Sequence, residues 1–219
     1  MPPTIYEVFD LYRKSDDYRV DSLYSALSEL ETFEIFEPDA NKAVPLYELI
    51  DGVTVINLSG YSESIQNLVV AITLDLFYFQ MQANGHSMID GKLRQLTKFI
   101  LVDEADNFLK VGFPSLRKIL KEGREFGVGT ILSTQFLKHF DTQDDDFAKY
   151  IYTWIVHNVA DLSMRDVKNL FNTNSKSEEE ELFGEIKKLM KHHSFVKFGD
   201  SSSPTYIRDK AFWELINDS

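Results

Sequence analysis

Two adjacent carboxylates close an apolar run in FILVDEAD, residues 99–106. Phe99, Ile100, Leu101 and Val102 have the continuous apolar character of a strand buried in a sheet. Asp103 and Glu104 follow at its end. Side chains alternate along a strand, so the two acids are expected to point apart. One can then hold a hydrated Mg²⁺ while the other orients an attacking water. On these residues alone a second reading stays open, in which Asp103 caps the following turn and Glu104 is merely solvated.

A second block, EGREFGVGTILSTQ, occupies residues 122–135. Gly127 and Gly129 permit a tight passage from helix to strand, and the strand ends in Ser133-Thr134-Gln135. A glutamine at the end of a strand beside the acidic one can hydrogen-bond both an attacking water and a phosphate oxygen. It can also be a satisfied loop amide. Arg124, in the last helical turn, suits the negative end of the helix dipole. It can equally carry positive charge to a phosphoryl group across a subunit interface.

The elements that must position these groups follow from hydrophobic periodicity. Residues 1–50 read as helical and connecting, with a capping box from Thr4 to Glu7, a second amphipathic helix after Ser22, and breaks at Pro38 and Pro45. From residue 51 to 219 the pattern alternates between β and α. Residues 53–58, VTVINL, predict a strand. A helix capped near Ser62 runs to about Gln82, a polar loop spans residues 83–95, and a helix covers roughly residues 114–126. Further strands are expected at 130–133, 153–158, 194–198 and 204–207, with helices at 163–171 and, capped by Ser177, on to about Lys191. This order predicts an α/β fold with a mostly parallel sheet covered by helices on both faces, whose chemistry sits at the carboxyl ends of the strands.

Composition narrows the partners. The chain has 219 residues, a formal net charge of −12 and no cysteine. Disulfides and thiolate metal sites are excluded, and a reducing cytoplasm is the expected setting. The start MPPTIYEVFD lacks a basic region followed by an apolar core, so no secretion signal is expected. The apolar run 68–81 is broken by Thr73, Asp75 and Gln80, too short and polar for a membrane span. No broad basic surface for duplex DNA is visible, so any DNA contact is expected to be local or to lie elsewhere. Trp154 and Trp213 read as core or interface residues. His192-His193, after Lys187, Lys188 and Lys191, reads as a basic helix end rather than a metal site.

Together, a strand ending in Asp-Glu, a helix ending in Gly-Arg-Glu-Phe-Gly-Val-Gly and a strand ending in Ser-Thr-Gln make the chain resemble the HerA/FtsK/VirB4 group of hexameric DNA-pumping ATPases. The resemblance spans about residues 45–165. It implies a RecA-like fold, ATP and Mg²⁺ as cofactors, DNA as partner and a homo-oligomeric ring. By it Asp103 is the Walker B acid that associates with Mg²⁺ and, with Thr134, contacts the nucleotide. Glu104 is the general base, Gln135 the sensor, and Arg124 an arginine at a subunit interface. Pore loops are expected at residues 85–95 or 136–146. Within the group, the sequence is most similar to the ATPases of phosphorothioation-dependent restriction systems or to HerA-like partners of other bacterial defence systems, which implies further protein partners. The group's phosphate-gripping motif, G-x-x-x-x-G-K-[ST], is not in the sequence. The expectation is that the chain begins downstream of it and leaves an unpaired sheet edge. Two rivals remain: a non-catalytic, partner-recruiting remnant, and a metal-dependent hydrolase built on Asp103, Asp106 and Asp141.

Overall fold

A computed structural model of the chain describes residues 4–37, 39, 41–42, 44–109, 111–135, 147–159, 161–199 and 203–217. The chain divides into two compact units, Met1–Gly85 and His86–Ser219.

The first unit is helical. Helix α1 (Ile5–Arg13) starts at the capping box read from the sequence: Thr4 accepts from the Glu7 N–H, and Glu7 accepts from the Thr4 N–H. Helix α2 (Ser22–Thr32) is capped by Asp21, whose carboxylate accepts from the N–H groups of Leu23 and Tyr24. The Tyr24 bond above all holds the Asp21 carboxyl below its ordinary pKa. Phe9 of α1 is buried, with Tyr24 of α2 in ring contact and the Arg13 guanidinium over its face. A short helix α3 (Leu46–Leu49) lies against α4 (Glu63–Ala83), where Gln80 Oε1 accepts from the Tyr47 N–H at 2.6 Å. Ser62 caps α4 as its sequence predicts. Between α3 and α4 the expected strand is absent. Residues 53–58 form no regular element and pair with no strand among the described residues, and Val53 is 96% exposed. An apolar β-branched run becomes a strand only where another strand offers hydrogen-bond partners, and the first unit holds none among its described residues.

The second unit holds all the strands among the described residues. Residues 83–95, expected as loop, contain a small hairpin, β1 (Ile89–Asp90) and β2 (Leu93–Arg94), turned through Gly91. Strands β3 (Lys98–Val102) and β4 (Val128–Leu132) run parallel. Helix α5 (Asp106–Leu109) and helix α6 (Pro114–Glu122) lie between them in sequence, and a 3-10 turn (Gly123–Phe126) leads into β4. After a 3-10 turn at Phe147–Tyr150 come β5 (Thr153–Val156), α7 (Met164–Phe171), α8 (Lys176–Lys187), β6 (His193–Phe198), β7 (Thr205–Arg208) and α9 (Phe212–Asn217).

The expectation of a mostly parallel sheet is corrected here. One parallel pair is accompanied by an antiparallel sheet in the order β5-β6-β7 and by the hairpin. For β6 and β7 the reason lies in the connection, since their short link suits antiparallel neighbours, whereas a parallel return needs a long crossover. Helices α7 and α8 pack on this sheet, with Val167, Phe171 and Ile186 in one buried cluster with Phe195 of β6. Full burial of Phe171 contributes roughly 1.5–3 kcal/mol. The cap of α8 is Ser175, not Ser177, because its hydroxyl reaches the Glu178 N–H. Trp154 packs against this core, whereas Trp213 is 61% exposed beside His192. No helix among the described residues is long and apolar enough to cross a membrane.

Candidate active site

The parallel pair brings the two sequence blocks together. Its register matches Lys98 with Val128 and Val102 with Leu132, so both strands finish at one end of the sheet. The matching at Phe99 requires glycine opposite: a Cβ on Gly129 would lie 2.5 Å from the Phe99 ring. Beyond the strands the ladder continues. Ser133 N–H donates to Val102 O at 2.9 Å, and Ala105 N–H donates to Ser133 O at 2.8 Å. Asp103 and Glu104 therefore leave the sheet beside Ser133, Thr134 and Gln135. Ala105 and Leu109 are fully buried beneath them, which pins the turn from below.

Within that turn Glu104 adopts φ 50°, a left-handed conformation that costs a side-chain-bearing residue about 1–2 kcal/mol. The Asp103 carboxylate accepts from the Glu104 N–H at 3.1 Å. Both acids are exposed, and no basic side chain among the described residues forms an ion pair with either. Two solvated, uncompensated carboxylates at a strand end fit a hydrated divalent cation, because such an ion needs one or two carboxylates and keeps several waters. Thr134 is half-buried, and its hydroxyl donates to Asp106 Oδ1 at 3.3 Å. Asp106 thus ties the end of β4 to the start of α5. The sequence pattern drew attention to Asp106 only as a third acid, although its place three residues after Asp103 put it at a helix start.

Arg124 is not brought to these acids. It sits exposed in the 3-10 turn before β4, at the amino end of the sheet. The length of β4 separates the two ends by about 15 Å. Gln135 is exposed at the carboxyl end. The loop 136–146, with Asp141, lies outside the described residues. Among the described residues, no group of three acidic or histidine side chains converges in a way that could hold a metal ion. The three-carboxylate hydrolase therefore gains no support from Asp103 and Asp106.

No protein-family model and no curated protein sequence matches the chain. Solved structures do. The genome packaging NTPase B204 of Sulfolobus turreted icosahedral virus 2, in complex with ATP-gammaS, aligns over 77% of this chain and 73% of its own at 17% identity, with a TM-score of 0.47. Its complex with AMP gives 16% identity and a TM-score of 0.48 over the same shares. VirB4 of Thermoanaerobacter pseudethanolicus aligns over 97% of this chain at 15% identity, with a TM-score of 0.61. The match covers 56% of the VirB4 chain, so this chain corresponds to little more than half of that structure. What these residues share with VirB4 is a fold, of mixed α/β content with small parallel and antiparallel sheets.

Proposed function

We propose that this chain is the acid-and-sensor side of a RecA-like, ATP-hydrolysing motor that moves DNA. The observation that carries the reading is the parallel register of β3 and β4, with Asp103 and Glu104 beside Ser133–Gln135 at one sheet end. The fold shared with VirB4 supports it. Asp103 would hold a hydrated Mg²⁺, which when bound would neutralise charge on the phosphates. Glu104 accepts a proton from the attacking water, and its fixed backbone turn limits where the carboxylate can reach. Gln135 hydrogen-bonds the same water and a phosphate oxygen, and Thr134, anchored on Asp106, lines that edge. Arg124, remote from these acids in its own chain, acts on a neighbouring copy in a ring.

The phosphate grip itself comes from groups outside this sequence, which lacks the glycine-lysine loop. Among the described residues β4 pairs only with β3, so its other side is open to a further strand. With a net charge of −12, DNA contact belongs to a few local groups or to another part of the protein. The missing loop also favours one alternative, a partner-recruiting remnant of such a domain. A role beside a restriction or other defence system in the cytoplasm is the narrower form of the motor reading, drawn from the sequence resemblance.

Glu104→Gln separates motor from remnant. In the intact protein the variant is expected to retain ATP binding and to lose about 10²–10⁴-fold in turnover. A steady-state rate equal to the parent's refutes the role of Glu104.

A further inference from the structure

In a chain of net charge −12, residues 187–210 run the other way, with six lysines and arginines against two aspartates. The antiparallel sheet gathers part of this stretch at one end. There His193 pairs with Arg208, Asp209 N–H donates to His192 O at 2.8 Å, and His157 Nδ1 lies 3.2 Å from His193 O. His192 takes φ 64°, a left-handed conformation that side-chain-bearing residues seldom adopt. The turn from α8 into β6 is thus held in one shape. Asn158 Nδ2 donates to Lys187 O and Leu189 O, each at 3.3 Å, and so occupies carbonyls at the end of α8 that repel an anion. Lys187 itself donates to Val159 O at 2.9 Å. Lys188 and Lys191 are exposed, and neither forms an ion pair among the described residues. Of the nearby acids, Glu214 is engaged by Arg208 at 2.6 Å and Asp209 by the Ser194 hydroxyl at 3.0 Å. Glu185, one turn before Lys188, is exposed and offsets one charge. Beside the turn stands Trp213, 61% exposed, with the His192 ring edge-to-face at 6.0 Å.

We infer that this corner is a contact site for single-stranded nucleic acid, with phosphates on Lys188 and Lys191 and one base stacked on the Trp213 indole. The aromatic decides the class of polyanion. An acidic peptide would satisfy the lysines alone, whereas an exposed indole beside cations offers the stacking face that an unpaired base uses. Charge and stacking decide between one strand and two. A duplex carries a charge every 1.7 Å or so of its axis and a single strand about half that density, so the chain's negative surplus repels a duplex more strongly. Paired bases, moreover, stack on one another and leave no face for Trp213. The inference rests on the motor reading only in taking nucleic acid as the polyanion, and none of its residues belongs to the edge that carries Asp103 and Glu104.

The test is fluorescence anisotropy of a labelled oligothymidylate of about 16 nucleotides, titrated with the chain at low salt and without ATP. Saturable binding with a Kd of about 10⁻⁶–10⁻⁴ M is expected. Lys188→Glu combined with Lys191→Glu should weaken it about tenfold or more and flatten its salt dependence, and Trp213→Ala should weaken it about tenfold. The three positions are exposed, so these variants should keep the parent's urea midpoint. The same reversal at Lys14 and Lys92, exposed elsewhere on the chain, should leave the affinity within about threefold, because salt screens distant charge. No binding, an equal loss from the Lys14 and Lys92 reversals, or unchanged affinity in Trp213→Ala would overturn the inference. So would a duplex of the same length that binds as tightly. Polyglutamate that displaces the label as well as unlabelled oligothymidylate does would make an acidic protein the partner and overturn it too. Binding that needs Lys191 and Trp213, together with full turnover in Glu104→Gln, would leave this contact standing and remove the hydrolytic reading. Lost turnover without such binding would do the reverse.

Discussion

Glu104 is the residue at which local conformation and proposed chemistry meet. Its left-handed φ is unusual for a residue with a side chain, and such strain collects at functional turns when the surroundings over-determine it. Here the surroundings are specific: the Ala105 N–H is held by Ser133 O, and Ala105 itself is buried. Substitution at an exposed site ordinarily changes stability by less than about 0.5 kcal/mol. Glu104→Val should instead cost about 1–2 kcal/mol, because a β-branched side chain tolerates this region worst. Glu104→Gly should be at least as stable as the parent. Urea unfolding of the two variants checks this, and equal midpoints would show that the turn stores no strain.

Among the elements, the hairpin and its 3-10 turn depend on one glycine. Gly127 has φ 74°, and a Cβ there would lie 2.8 Å from both Gln95 O and Ser87 Cβ. Neither neighbour can withdraw freely, since the Ser87 N–H donates to Glu125 O and the Gln95 N–H donates to Met88 O. Gly127→Ala should therefore cost about 1–3 kcal/mol and speed amide exchange at Ser87 and Gln95. Unchanged exchange at those two amides would mean that the hairpin is not fastened through this turn. In the first unit, the cap of α2 responds to pH. The Asp21 carboxyl has a folded pKa below its unfolded one, owing first to the Tyr24 N–H, then to the Tyr12 hydroxyl and the Leu23 N–H. A depressed carboxyl pKa stabilises the fold above the unfolded value, and that contribution is lost as pH falls through the folded pKa. Asp21→Asn keeps a capping oxygen and removes the titration. Its stability should fall less steeply than the parent's below about pH 4, measured by denaturant midpoints across that range.

At the scale of the molecule, the proposed motor is divided between what this chain holds and what it does not. Most of the affinity for a triphosphate comes from loop N–H groups, a lysine and a helix N-terminus, and no motif of that kind occurs in the sequence. Asp103 and Glu104 bring two negative charges toward a polyanion, which repels it unless Mg²⁺ intervenes. The 219-residue chain is therefore expected to bind ATP weakly or not at all in calorimetry with Mg²⁺ present. Micromolar binding would place the phosphate site elsewhere in the chain and undo the assignment of the acid edge.

Local order and local chemistry were legible in the amino-acid sequence. The capping box at Thr4, the cap at Ser62, the strand that ends at Asp103 and the strand before Gln135 each depend on residues close together in the chain. What needed pairing over distance was decided only in the tertiary structure. VTVINL has the composition of a strand, yet residues 53–58 find no strand partner among the described residues, because backbone hydrogen bonds rather than propensity complete a sheet. The directions of β5, β6 and β7, the union of Thr134 with Asp106 and the left-handed turn at Glu104 likewise arise from non-local contacts. Spacing in sequence marked Asp103, Glu104 and Gln135. Their meeting at one sheet end, and the stationing of Arg124 at the other, came from the parallel register of two strands, an arrangement that no single segment encodes.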